Sequence, residues 1–254
     1  MFKHLTTKTV IAAGAATLAI SAVSTPAEAA SFTVTVEAPG VQTSQVTGTN
    51  KLTENFNSLS TGNGAFPFFF NTNPAIGTYS TADTSTVIQP ASVVGGAGGT
   101  GNFLAVASGP VTLNLNTPQK YFGLWWSAVD AANKIEFFKG GTSLFSFDTP
   151  TLVSYLAGNP GYIGNPNFPL PNSSEPFAFV NFFAGTGTDF DEIRFTNSSN
   201  VSFFESDNHT IAETFDNTPG NPLVVPTPAM LPGLISMGIA AWRKRKAEAA
   251  ESEV

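Results

Sequence analysis

The sequence contains no cysteine and few charged residues, and both absences limit what the chain can do. Without cysteine there are no disulfides, no thiolate nucleophile and no thiolate metal ligands. Between residues 30 and 225, five basic residues stand against 14 acidic ones, which gives this part a formal charge of −9. Such a surface repels phosphate backbones and anionic lipids, so nucleic acid is not expected as a partner.

Histidine is also scarce, and this restricts catalysis. His209 is the only histidine between residues 30 and 225, so any Ser-His-Asp arrangement has to use it. There is no G-x-S-x-G nucleophile elbow, and we interpret His209 as a structural residue. The run from Gly96 to Gly101 satisfies G-x-G-x-x-G, but strand-like alternation without an acidic partner follows it. We therefore predict a glycine loop there and no dinucleotide site.

Residues 1–29 have the three parts of a secretory signal peptide. Lys3 and Lys8 precede a small-residue apolar run over residues 9–23, and Ala27-Glu28-Ala29 fits an A-x-A cleavage site. The alternative, an N-terminal membrane helix, is disfavoured because the apolar run is short and is followed by Pro26. We expect signal peptidase to cleave after Ala29 and the rest of the chain to be exported.

The other end of the chain, residues 223–254, combines three features. Leu223 to Trp242 is 20 residues without a charge, enough to cross a bilayer as a helix. Several prolines lie in the first half of this segment and disfavour a regular helix there. A plain membrane anchor is one interpretation of the whole segment. The cluster Arg243-Lys244-Arg245-Lys246 follows and would hold its end of the helix in the cytoplasm.

This order of a short proline motif, an apolar helix and a basic cluster resembles the PEP-CTERM protein-sorting signal. The Pro-Glu-Pro of that family is replaced here by Pro226-Thr227-Pro228-Ala229, which looks like a variant class of the motif. The resemblance covers about 30 of the 254 residues. It implies that an exosortase-type membrane protease cuts at the motif. The protein would then be held transiently in the inner membrane and delivered to the outer cell surface or the extracellular space.

The segment between the two signals, residues 30–222, is predicted to form one all-β domain. Short apolar runs rich in Phe alternate with Gly, Pro, Asn, Ser and Thr, which is typical of strands and turns. A single short helix is predicted from Thr149 as N-cap through Pro150 to Gly158. We predict an antiparallel β-sandwich, with the jelly roll as its expected form.

Two stretches of this domain carry a second resemblance. Residues 121–138 and the run Phe204-Glu205-Ser206-Asp207-Asn208 look like the ectodomains of exosortase-dependent surface proteins and like distant kin of carbohydrate-binding jelly rolls. Within the first stretch, Phe122, Leu124, Trp126 and Ala128 alternate toward the core. Tyr121 and Trp125 lie on the other face, where exposed rings would stack on sugars. The alternative is that a loop covers them.

Carboxylates cluster late in the domain, at Asp189, Asp191, Glu192, Glu205 and Asp207. A glycosidase needs two carboxylates across a cleft, so a secreted polysaccharide hydrolase is one hypothesis. Calcium is another use of such oxygens. No cofactor is required, but the jelly-roll resemblance implies that Glu54 and Asp207 could hold a structural calcium ion. The alternative is that they are solvated acidic residues that protect strand edges.

From these patterns we expect an exported, non-catalytic cell-surface or matrix protein, with extracellular polysaccharide as its candidate ligand. The competing classes are the secreted hydrolase and a purely structural surface component.

Overall fold

A computed structural model describes residues 31–63, 66–70, 76–168 and 174–225. The described residues form fourteen strands and one α-helix. The strands are β1 (Phe32–Val36), β2 (Leu52–Glu54), β3 (Phe68–Phe70), β4 (Gly77–Thr81), β5 (Val87–Pro90), β6 (Asn102–Val106), β7 (Val111–Gln119), β8 (Tyr121–Ser127), β9 (Asn133–Lys139), β10 (Thr142–Asp148), β11 (Ala178–Ala184), β12 (Phe190–Asn197), β13 (Phe204–Ala212) and β14 (Asn221–Leu223). Helix α1 (Pro150–Ala157) lies between β10 and β11.

The strands form two antiparallel sheets, as the sequence predicted for a sandwich. Sheet A has eight strands in the order β14-β1-β11-β8-β13-β6-β5, and β2 pairs with β13 beside this path. Sheet B has six strands in the order β10-β9-β12-β7-β4-β3. Neighbours within a sheet are mostly distant in sequence, so the chain crosses repeatedly between the two sheets.

The core lies between the sheets and is built from alternating apolar residues. In β8, Phe122, Leu124 and Trp126 are fully buried in the main core cluster, which confirms the period-two prediction for these three residues. The prediction is wrong for Ala128. Its φ of 44° breaks the alternation after the end of β8, and its side chain joins a separate cluster with Trp125.

Helix α1 begins at Pro150, where the sequence predicted a first helical residue, and it buries Leu152 and Leu156. Thr149 occupies the N-cap position, but its hydroxyl does not cap a helical N–H group. It donates instead to the backbone oxygens of Asp130 and Asn133. This side chain therefore fastens the helix start to the turn before β9.

The first and last described strands are neighbours. In β1 and β14, Val34 lies opposite Leu223 and Val36 opposite Asn221. Because the pair is antiparallel, the chain enters β1 and leaves β14 at the same end of one sheet edge. The domain boundary predicted at residue 222 falls inside β14.

Candidate functional site

The outer face of sheet A, where the sequence predicted a sugar-stacking platform, is covered by loops. Tyr121 and Trp125 are both 0% exposed, so the prediction of an exposed platform is wrong and the covering-loop alternative is confirmed. Tyr121 donates to Asn181 Oδ1 at 2.7 Å and packs against Val46. Trp125 packs against Phe179 and other side chains of a second small cluster. The period-two pattern of a strand indicates which face of the sheet a residue lies on, but it does not indicate whether loops cover that face.

The glycine loop predicted at 96–101 forms part of this cover. It contains a short 3-10 turn, Ala97–Gly99, and leads into β6, which confirms that it does not open a dinucleotide-binding helix. The backbone N–H of Ala97 donates to Asp207 Oδ2 at 2.8 Å, and that of Gly98 donates to Gln42 Oε1 at 2.5 Å. Asn167 Nδ2 also donates to Gln42 Oε1, at 3.0 Å. These bonds hold three loops together over sheet A.

The structure brings Glu54 and Asp207 onto paired strands, since Glu54 lies opposite His209, two residues after Asp207. Both carboxylates are buried, so the alternative of solvated edge residues is wrong. Burial raises the pKa of Asp207 to about 7, and the charge of Glu54 contributes to this increase. Glu54 Oε1 accepts the Phe56 N–H at 2.7 Å, and Asp207 Oδ1 accepts the Asn208 N–H at 2.6 Å.

A calcium ion held by this pair would need further oxygen ligands. Two carboxylates supply only part of the six to eight oxygens that calcium takes. Among the residues that the structure describes, no group of three or more His, Cys, Asp or Glu side chains could hold a metal ion. Calcium at Glu54 and Asp207 therefore stays a prediction.

The five residues of the acidic cluster are divided between the two sheets. Asp189 lies just before β12 of sheet B, and its Oδ1 is 2.5 Å from Lys139 Nζ. In β12 of the same sheet, Glu192 Oε1 accepts from Arg194 Nη2 at 2.8 Å. Glu205 and Asp207 lie in β13 of sheet A, so the structure does not bring the five carboxylates into one cleft. Burial raises the pKa of Glu205 to about 9, which leaves it neutral at pH 7.

His209 is a structural residue, as predicted. Its side chain is fully buried, and its ring nitrogens lie 2.8 Å from the Tyr79 hydroxyl and 2.9 Å from Ser206 Oγ. Burial lowers its pKa to about 3, because the charged imidazolium would lose its hydration there.

Sequence reasoning missed the outer face of sheet B, which we call the open face. Strand pairing places its side chains in rows across the sheet. One row consists of Phe69, Thr78, Asn114, Glu192 and Phe138. The next row consists of Ser80, Thr112, Arg194, Glu136 and Ser146. The alternation Lys134-Ile135-Glu136-Phe137 was the signal that could have revealed this face.

Charged groups on the open face are paired with each other. Lys134 Nζ lies 3.1 Å from Glu136 Oε2, and the Arg194 guanidinium carbon lies 4.4 Å above the centre of the Phe138 ring. At one end of the face is a pocket of about 400 Å³, lined by residues that include Lys134, Asp148 and Thr196. At the opposite edge, the side chain of Phe69 is 54% exposed.

The sorting motif Pro226-Thr227-Pro228-Ala229, the basic cluster Arg243-Lys244-Arg245-Lys246 and the signal peptide all lie outside the described residues. Within the described ranges, no helix combines the length and apolarity needed to span a membrane. The fold defines the protein as a two-sheet antiparallel β-sandwich. No protein-family model, curated protein or solved structure matches the chain.

Proposed function

We propose that this chain is an exported, non-catalytic surface or matrix protein whose jelly-roll domain is released by an exosortase-type protease. The observation that carries the proposal is the pairing of β1 with β14. Both ends of the described sandwich leave one edge at the same end, which supports the proposal that a leader before β1 and a sorting tail after β14 would attach at one place. A domain held there by its tail projects its remaining surface away from the membrane.

The positions of the ionisable groups support a non-catalytic role. The one histidine of the exported part is buried in the core, and its pKa is too low for acid–base work near neutral pH. Asp189 and Glu192 face basic partners, whereas Glu205 is buried in β13 of sheet A. A structural calcium ion at Glu54 and Asp207 is compatible with this role, as is binding to extracellular polysaccharide.

Intact mass of the protein recovered from the cell surface and the medium tests the proposal. We expect a chain that begins at Ala30 and ends between Pro226 and Ala229, with or without added glycan. A mass that retains Trp242 and the basic cluster would indicate an ordinary membrane anchor. A chain found intact in the cytoplasmic fraction would contradict export altogether.

The hydrolase hypothesis has its own test. We expect the purified chain to release no reducing sugar from neutral or anionic polysaccharides. Release that disappears in Glu205→Gln would contradict the non-catalytic proposal. Self-association without any glycan binding would instead favour a purely structural component.

A further inference from the structure

We infer that the open face of sheet B binds a neutral polysaccharide, with the pocket beside Lys134 and Asp148 as one end of the site. This inference rests on the proposed extracellular function, which supplies polysaccharide as the candidate ligand. The proposed site is the open face, which a long polymer can reach, and not the covered surface around Tyr121 and Trp125.

The shape of the open face suits an extended chain. The row from Phe69 to Phe138 crosses five strands, β3, β4, β7, β12 and β9, and spans roughly 19 Å at the usual strand spacing. The second row runs beside it. A third row, Thr196, Lys134 and Asp148, lines the pocket of about 400 Å³. The face and the pocket are therefore continuous.

The chemistry of the first row suits a sugar, which presents both C–H faces and hydroxyl groups. Phe69 is the one aromatic among the exposed large apolar side chains of the described residues, and it stands on an edge strand between buried Phe68 and Phe70. An exposed ring can pack against a pyranose C–H face. Next to it, Thr78 and Asn114 offer a hydroxyl and an amide, which both donate and accept hydrogen bonds.

The far end of the open face provides a second planar surface. Arg194 stacks on Phe138, so its guanidinium plane adds donors beside the row. A small number of fixed polar groups beside an apolar surface is the usual composition of a ligand site.

The charge of the face selects a neutral polymer. Lys134 and Arg194 are balanced by Glu136 and Glu192, and each cation lies within 3.1 Å of one of these acids. Asp148 in the third row adds a further carboxylate, so the rows hold three acidic and two basic side chains and do not attract an anionic chain. The exported part as a whole carries a formal charge of −9, which repels acidic polysaccharides.

Affinity electrophoresis of the full-length chain in mild detergent tests the inference. The gels contain dextran, galactomannan, alginate, or the neutral exopolysaccharide fraction of the producing cells. We expect at least one neutral polymer to retard the wild-type chain and alginate to have no effect. Phe69→Ser combined with Asn114→Ala should weaken this retardation roughly fivefold, because a stacking contact and a hydrogen bond are lost.

The matched control is Val201→Ser, which changes an exposed apolar residue outside the three rows and should bind like the wild type. Unchanged retardation of the double variant would overturn the open face as the site. Retardation by alginate alone would overturn the neutral ligand class. If no neutral polymer retards the full-length chain, while the intact mass of the protein recovered from the cell surface shows processing, the inference fails and the proposed export stands.

Discussion

The two sheets of this sandwich differ most in what lies on their outer faces. Sheet A carries aromatic residues and buried carboxyl groups, and loops from distant parts of the chain cover its outer face. Sheet B carries paired charges, hydroxyls and amides that face solvent. The comparison shows that an aromatic-rich face is not necessarily a binding face. In this protein the aromatic face of sheet A extends the core, and the polar face of sheet B is left for a ligand.

The largest expected effect on stability comes from removing a large side chain that lies beneath the loops covering sheet A. Trp125→Ala should lower the free energy of unfolding by about 3 to 5 kcal/mol, as for a large side chain removed from a core. Urea unfolding measures this, with Trp126→Ala in the main core as the reference. If Trp125→Ala changed stability as little as a surface substitution does, the cover would not be part of the packed structure.

A second effect comes from the buried carboxyl groups of sheet A. The pKa of Glu205 is about 9 in the folded chain against an ordinary value of 4.5, so the folded state holds a proton that the unfolded state releases. Stability should therefore fall as the pH rises from 4.5 to about 9, and Asp207 contributes over the lower part of this range.

Thermal unfolding between these pH values checks this prediction. Glu205→Gln should reduce the loss of stability with rising pH, because the substituted amide does not titrate. Glu213→Gln, a change at a partly exposed residue, should leave that loss of stability unchanged. A stability that rose steadily toward pH 9 would contradict the burial of a neutral Glu205.

A smaller effect is expected where the loops meet. Gln42→Ala removes the acceptor for the Gly98 N–H and for Asn167 Nδ2, which should cost about 1 to 2 kcal/mol. Hydrogen exchange at Gly98 should become faster. Gln45→Ala is the control, because Gln45 donates only locally to Thr43. Equal protection of Gly98 in both variants would show that Gln42 does not hold the loops together.

The smallest effect on folding is expected on the open face. Phe69→Ser should lower the free energy of unfolding by about 1 kcal/mol, because about half of its side chain is exposed and only the buried part contributes. Urea unfolding measures this beside Trp125→Ala. A loss comparable to that of Trp125→Ala would mean that Phe69 is a core residue and that the two faces do not differ.

Sequence patterns predicted the sandwich, the single helix and the inward residues of β8, because alternation and turn residues are local signals. They also identified His209 as structural and the 96–101 run as a glycine loop. They could not predict the cover over Tyr121 and Trp125, because it depends on loops far away in the sequence. The open face was missed for the same reason: its rows exist only once β3, β4, β7, β12 and β9 are paired.

Hydroxyl-radical footprinting of the exported chain, with and without a retarding neutral polysaccharide, tests the difference between the two faces most directly. We predict that Phe69 is oxidised in the free chain and protected by the polymer, while Tyr121 and Trp125 stay unmodified in both samples. Oxidation of Trp125 in the free chain, with protection by the polymer, would instead make sheet A the binding face and contradict the account.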